Sequence, residues 1–266
     1  MVRDLHGLRL LITGASSGIG RSLADRAARA GARVALAARS SGPLDVLVAE
    51  LARDGHEAVA IPADVTEPAE RRRLLDTAVS RFGGLDVLIN NAGVGSWGHF
   101  AGGSEAILRQ VMEVNFFAAA ELTRLAIPAL TNGNKPAVLN IASMCGRRAM
   151  PGWSEYSASK FALCGLTEAL RGELARFEID VLLVVPGLTR SELARHLLRS
   201  EGRYPIPYEK GMAPEKVAAA ALEALRRNRT ETVVGSDARW MLGINRFLPR
   251  LLDRLLARRI RQMYAN

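Results

Sequence analysis

What most constrains this chain is an alternation that persists over most of its length. Short unbroken runs of Val, Ile, Leu and Ala change places with longer segments whose apolar residues recur every three or four positions. The runs predict strands at Arg9 to Thr13, Arg33 to Ala38, Glu57 to Ile61, Leu85 to Asn90, Ala137 to Ser143, Asp180 to Val185 and Glu231 to Val234. Helical periods fall between them, at Ile19 to Ala30, Leu44 to Asp54, Ala69 to Phe82, Ser104 to Leu130, Ser154 to Phe177 and Pro214 to Arg227. Strands apolar on both faces and separated by helices belong to a parallel sheet covered on both sides. The expected fold class is α/β: a three-layer, doubly wound parallel sheet in one domain.

Composition excludes several classes. With 266 residues, 48% hydrophobic and 24% charged, the chain can build one large core and is neither disordered nor low-complexity. Cys145 and Cys164 lack C-x-x-C spacing, which suits neither a disulfide framework nor zinc and points to a reducing compartment. His6, His56, His99 and His196 are scattered without ligand spacing, so no metal is expected. The opening residues run into a strand too soon for a secretory signal, and no apolar stretch approaches the roughly 20 residues that span a bilayer. A cytoplasmic location is expected. The long interruption at about 187–213 follows a strand's carboxyl end, where open α/β sheets bind ligands, and is expected to be a substrate loop.

Directly after the first strand stands Thr13-Gly14-Ala15-Ser16-Ser17-Gly18-Ile19-Gly20, leading into a helix. Glycines let backbone approach a pyrophosphate, and the N–H groups and dipole at a helix start favour its negative charge. The spacing is G-x-x-x-G-x-G rather than G-x-G-x-x-G, but the strand-to-helix position is that of a dinucleotide-binding turn. The sheet is therefore expected to be of the Rossmann type.

Further residues follow in order: Asn90-Asn91-Ala92-Gly93 after the fourth strand, Asn115 in the long helix, Ser143 at a strand end, Tyr156-Ser157-Ala158-Ser159-Lys160 on the next helix, then Pro186-Gly187. With the glycine cluster, this set resembles the short-chain dehydrogenase/reductase family, in its single-domain oxidoreductase branch, over roughly Leu5 to Gly235. After Thr189 the match holds only in outline. Tyr156 and Lys160 are four apart on an expected helix and so project from one face. A phenol of pKa about 10 is a reluctant base at neutral pH, and a neighbouring ammonium that favours phenolate is what proton transfer requires. The resemblance implies that Tyr156 transfers the proton and that Lys160 tunes it and holds the nicotinamide ribose hydroxyls. It also implies that Ser143 donates to developing oxyanion charge and that Asn115 supports a water linking the lysine to solvent. Taken singly, each has a plainer role: Ser143 as a strand-end cap, Asn115 as a buried ligand of a helix kink, Tyr156 and Lys160 as a surface pair.

The resemblance further implies a nicotinamide dinucleotide. Gly14, Ser16, Ser17, Gly18, Ile19 and Gly20 would cradle its pyrophosphate, and Asn91, Ala92 and Gly93 would lie beside its adenosine half. Asp64 and Val65 would meet the adenine, although Asp64 before Pro68 is also ordinary turn chemistry. Pro186 and Gly187 would border the nicotinamide, with Thr189 or Ser191 at the carboxamide. Cofactor choice turns on Ala37-Ala38-Arg39-Ser40-Ser41, where no acid appears until Asp45. A carboxylate there binds the ribose 2′-hydroxyl of NAD, whereas an arginine suits a 2′-phosphate. NADP(H) is expected, with Arg39 as the planar donor and Ser40 assisting. The alternative has Arg39 stacked on adenine with NAD(H) accepted.

The net charge of +9 is concentrated: from Arg226 onward there are ten arginines against Glu231, Asp237 and Asp253. A nearly neutral body with 5% aromatics argues against a nucleic-acid partner. The chain therefore divides into 1–237, dinucleotide-binding and catalytic, and 238–266, a basic tail. After Pro249, the residues Leu251, Leu252, Leu255, Leu256, Ile260 and Met263 recur at helical spacing, with Arg250, Arg254, Arg258 and Arg261 mainly on other faces. With Trp240, Met241, Leu242, Phe247 and Leu248 before it, this segment has the make-up of an interfacial membrane helix. Packing on the same chain or a partner subunit, or a substrate lid, are the alternatives.

The expected function is NADP(H)-dependent interconversion of a carbonyl and an alcohol on an apolar small molecule, with Val94, Trp97, Met150 and Trp153 as candidate walls and Cys145 as a small buried neighbour. By resemblance, the two long helices would pair copies into a homodimer or homotetramer. A catalytically silent nucleotide sensor or membrane-associated scaffold is the alternative, and the intact Ser143, Tyr156 and Lys160 argue against it.

Overall fold

Burial on both faces explains how the apolar runs assemble. Strands β1 (Arg9–Thr13), β2 (Arg33–Ala38), β3 (Ala58–Pro62), β4 (Val87–Asn90), β6 (Ala137–Ile141), β7 (Asp180–Pro186) and β9 (Glu231–Val234) form one sheet in the order β3-β2-β1-β4-β6-β7-β9. Every neighbouring pair is parallel. The structure is a computed structural model. It describes residues 2–190, 193, 197–201 and 208–264, without the side chains of 263 and 264. Ser191, His196 and the Met263 side chain, all named above, lie outside that description, as does part of the 187–213 interruption.

Successive side chains of a strand face opposite layers. Leu10 and Ile12 of β1 meet one cluster, under α1 (Gly18–Arg29), α2 (Ser41–Arg53) and α7 (Pro214–Arg226). Leu11 meets the other, under α3 (Pro68–Phe82), α5 (Ala118–Thr131) and α6 (Ser154–Leu174). Within this apolar body runs one buried polar chain. Asn90 Nδ2 donates to Thr123 Oγ1 at 3.0 Å and to Asn140 Oδ1 at 2.9 Å, and Asn140 Nδ2 donates to Thr167 Oγ1 at 2.9 Å. It couples β4 and β6 to α5 and α6, with Asn90 Oδ1 alone of the two amides' atoms left without a partner among the described residues. Strand order reverses between β1 and β4, and the crevice at their carboxyl ends is where such sheets bind ligands.

Four differences from expectation matter. The helix expected over Ser104 to Leu130 is α4 (Glu105–Met112), a π-helical turn at Glu113–Phe117, then α5. The strand expected to end at Ser143 ends at Ile141. The 187–213 interruption contains strand β8 (Leu197–Ser200), paired in parallel with β5 (Gly95–Trp97) as a separate two-stranded sheet. The tail forms two helices, α8 (Ser236–Phe247) and α9 (Pro249–Tyr264), so a division at 237 cuts through α8. Ala238 is fully buried and Leu242 packs against the cluster that includes Leu163, Leu183 and Val185, which joins the start of the tail to the body.

Candidate active site

The glycine turn folds as its chemistry requires. Gly14 has φ +66° and Gly18 φ +51°, in the left-handed region that favours glycine. A Cβ on Gly20 would come within 2.1 Å of the Gly14 carbonyl, so glycine there lets the first turn of α1 lie against β1's end. Asn91 closes the other side: its Nδ2 donates to the Thr13 carbonyl at 2.9 Å, while Thr13 Oγ1 accepts from the Asn91 and Ala92 N–H groups at 3.0 and 3.1 Å. Ser17 occupies the N-cap of α1 but makes no side-chain capping bond, and no acid lies in the first turn. The helix therefore presents unsatisfied N–H groups and positive dipole to the cavity, which fits a pyrophosphate.

Ser143 opens the 3-10 turn Met144–Gly146, and its Oγ accepts from the Cys145 N–H at 3.1 Å. The hydroxyl lies on the side of the Tyr156 phenol, whose ionised form it favours. One helical turn on, Lys160 Nζ lies 5.8 Å from the Tyr156 ring centroid and donates to the Ile141 carbonyl at 3.1 Å. Burial lowers the Lys160 ammonium to about 8. Burial also holds the Tyr156 phenol well above its ordinary value, Cys145 adding to the rise and the Ser143 hydroxyl opposing it. In the chain alone the phenol therefore keeps its proton near neutral pH. Desolvation of the phenol outweighs the Ser143 interaction that favours phenolate.

Asn115 lies in the π turn. Its Oδ1 accepts from the Val94 N–H at 2.8 Å, and its Nδ2 donates to the Val94 carbonyl and Ser159 Oγ, both at 2.9 Å. A Cβ on Gly93 would sit 3.2 Å from Asn115 Oδ1 and 3.6 Å from Lys160 Nζ. Asn115 thus fixes the segment behind the lysine.

A cavity of about 1540 Å³ connects these parts. Gly14, Ser16, Ser17, Gly18, Ile19, Arg39, Ser40, Asp64, Val65, Asn91, Ala92, Gly93, Ser143, Tyr156, Lys160, Pro186, Gly187 and Thr189 all line it; Gly20 and Asn115 stand behind its wall. Arg39 and Ser40 are exposed at its mouth. Asp64 Oδ1 accepts from Thr66 N–H at 2.9 Å and Thr66 Oγ1 at 2.7 Å, so the turn role is realised while the residue still borders the cavity. Thr189 Oγ1 donates to the Gly187 carbonyl at 3.0 Å. Val94, Trp97, Met150 and Trp153 line the opposite end, with the rings of Trp97 and Trp153 5.4 Å apart and those of Trp153 and Tyr156 5.3 Å apart. Cys145 lines it too, its thiol pushed up to about 11 by burial and so kept protonated.

Sequence reasoning missed several contributors. Asp237 Oδ2 accepts from the Leu188 N–H at 2.9 Å beneath the Pro186–Gly187 turn. The Tyr208 hydroxyl is buried without a hydrogen-bond partner in a residue that lines the cavity. Glu155, next to Tyr156 and 2% exposed, faces Arg199 of β8 at 3.8 Å, and Gly98, Gly102 and Gly103 make room for that guanidinium. Only Asp237 carried a usable signal, as an acid just after the last strand. The others depend on contacts between distant segments.

A doubly wound sheet with an open glycine turn at its switch point, facing a serine, tyrosine and lysine, defines a dinucleotide-dependent oxidoreductase site. Residues 9–202 match the family pattern described as short chain dehydrogenase. The uncharacterized oxidoreductase YxnA of Bacillus subtilis (strain 168) is 35% identical over 259 residues, covering 96% of this chain and 73% of that protein. A short-chain dehydrogenase/reductase of Burkholderia phymatum, solved in complex with NAD, superposes with TM-score 0.86 at 26% identity, covering 94% of this chain and 96% of that one. One from Burkholderia cenocepacia J2315, in complex with NADP, gives TM-score 0.80 at 28% identity, covering 89% and 100%. The chain belongs to the short-chain dehydrogenase/reductase family and is an oxidoreductase of CH–OH and C=O groups.

Proposed function

We propose that this enzyme uses NADP(H) to interconvert a carbonyl and an alcohol on an apolar small molecule, with Tyr156 moving the proton. The observation that carries the reading is the convergence of Ser143, Tyr156 and Lys160 at a cavity whose other side is the uncapped start of α1. When bound, the dinucleotide supplies or takes up a hydride at the substrate carbon. A carbonyl oxygen between Ser143 Oγ and the Tyr156 hydroxyl accepts a hydrogen bond from each. As charge develops on that oxygen, Ser143 stabilises it and Tyr156 delivers its proton, giving the alcohol. In oxidation the same proton returns to Tyr156. Lys160, fixed by the Ile141 carbonyl, favours the phenolate left after transfer and presents its remaining donors to ribose hydroxyls.

Arg39 and Ser40 at the mouth, with no acid before Asp45, favour a 2′-phosphate; Asp64 and Val65 border the adenine, and Thr189 the carboxamide. The family neighbours hold NAD in one case and NADP in the other, so the preference rests on Arg39. The tryptophan pair, Val94 and Met150 favour an apolar substrate. We further infer a cytoplasmic homodimer or homotetramer, with no nucleic-acid partner and with peripheral membrane contact through the tail. A screen of ketones and aldehydes following NADPH absorbance tests the chemistry. Tyr156→Phe is expected to lower turnover about 10²- to 10⁴-fold with dinucleotide binding retained. Undiminished turnover would overturn the assignment.

A further inference from the structure

Eleven large hydrophobic side chains are exposed among the described residues, and six of them fall within residues 240–255: Trp240, Ile244, Phe247, Leu248, Leu251 and Leu255. The others are spread from Val2 to Phe161. The concentration follows from how the two tail helices sit. α8 turns Ala238 and Leu242 inward, which leaves Trp240, Ile244 and Phe247, spaced three and four apart, on its outer face at up to 77% exposure. α9 buries Leu252 and half-buries Leu256 and Ile260, spaced four apart. Its apolar stripe is therefore divided, with Leu251 and Leu255 facing out beside Arg250, Arg254 and Arg258. Leu248, at the corner, joins the two outer faces.

We infer that this outer surface docks on an anionic lipid membrane, its apolar side chains entering the headgroup boundary and its arginines meeting lipid phosphates. The inference deepens the peripheral contact proposed above and is separate from the redox chemistry. Charge complementarity selects this occupant. Of the net charge of +9, seven lie from Arg226 onward, so a second copy seated on this face by two-fold symmetry would set one arginine row against another. Interfacial membrane helices pair an apolar face with flanking Arg and Lys, as this surface does. Among the described residues no helix is long and apolar enough to cross a membrane, which leaves surface docking as the mode.

The docked orientation follows from the same contacts. α8 starts two residues after β9, at the sheet's carboxyl edge, and Asp237 holds Leu188 of the cavity wall. Arg148, in the loop between Ser143 and Met150, donates to Asn245 of α8 at 3.1 Å and to Asp253 of α9 at 2.5 Å. Lipid contact through the outer faces thus turns the cavity's end of the molecule toward the membrane, from which an apolar carbonyl compound would enter.

The test is co-sedimentation of the full chain with phosphatidylglycerol–phosphatidylcholine vesicles, with pure phosphatidylcholine as control. Binding to the anionic vesicles alone is expected, released by salt, with a blue shift of tryptophan emission that Trp240→Phe removes. Each arginine near an anionic surface contributes about 1 kcal/mol, or about fivefold, so Arg250→Gln, Arg254→Gln and Arg258→Gln together are expected to weaken binding by about 100-fold. Replacing Trp240, Phe247, Leu251 and Leu255 by Ser is expected to abolish it without changing the sedimentation coefficient in solution. Absence of pelleting, equal pelleting by the arginine variant, equal binding to neutral vesicles, or dissociation of an oligomer by the serine variant would each overturn the proposal. Thermal stabilisation by NADPH, followed in every variant, reports separately on the dinucleotide site.

Discussion

Lys160 Nζ donates to the Ile141 carbonyl at 3.1 Å while standing 5.8 Å from the centre of the Tyr156 ring. The ammonium is thereby held by the backbone of the sheet's strand β6, so its distance from the phenol does not depend on the rotamer freedom of a long side chain. It is also buried, at 3% exposure, and that has a measurable consequence.

Burial lowers Lys160 from 10.5 to about 8, so the folded chain releases this proton while the unfolded chain still holds it. Between those pH values the unfolded state binds more protons, and the residue's contribution to stability becomes more favourable as pH rises. Lys160→Met is therefore expected to gain stability relative to wild type below pH 8 and to lose that advantage toward pH 10.5, a swing on the order of 3 kcal/mol. Urea unfolding of both proteins without dinucleotide at pH 7 and 10 measures it. A difference independent of pH would show the ammonium to be solvated.

Arg39 is expected to decide the dinucleotide. Hydrogen bonds to a charged group contribute about 1.5–3 kcal/mol, so Arg39→Asp should weaken NADPH binding by roughly 10- to 100-fold and leave NADH binding equal or better. Titration of both dinucleotides against both proteins checks this, and unchanged NADPH affinity would transfer the preference elsewhere.

Gly20→Ala tests the packing of the phosphate turn. The added methyl meets the Gly14 carbonyl at 2.1 Å and Asn91 Nδ2 at 2.5 Å, so α1 must move away from β1. A stability loss of about 1–3 kcal/mol is expected, together with loss of dinucleotide affinity. Wild-type affinity in a normally folded variant would mean that the turn tolerates displacement.

Glu155 and Arg199 are both buried and 3.8 Å apart, one on the helix of Tyr156 and the other on β8. Arg199 also pairs with Glu201 at 2.6 Å, so it is removal of Arg199 that strands a buried charge, that of Glu155, at a cost of about 3–5 kcal/mol. Arg199→Met alone should therefore destabilise strongly, and Glu155→Leu with Arg199→Met should recover most of the loss. If the two losses simply add in denaturant unfolding, the residues are not coupled.

Much of the fold was readable because its signals are local. The strand β2 and the strand β9 fall where the apolar runs stop, and the turn from Thr13 to Gly20 is a matter of dihedral freedom and adjacent N–H groups. Tyr156 and Lys160 share a face because a helix repeats every 3.6 residues. Pairing of Gly95–Trp97 with Leu197–Ser200 was not readable, since three- and four-residue strands a hundred positions apart carry no period of their own. The π turn was hidden for a related reason: Asn115 is bonded to Val94 and Ser159, far from it in the chain.

The amino-acid order by itself determined the layered sheet and the glycine turn, and put Tyr156 and Lys160 on one helix face, because each depends on spacing along one element. The tertiary structure alone decided how those groups are charged and which half of the tail's apolar stripe is covered. Desolvation depends on what distant segments pack around a side chain, and burial raises the Tyr156 phenol and lowers the Lys160 ammonium.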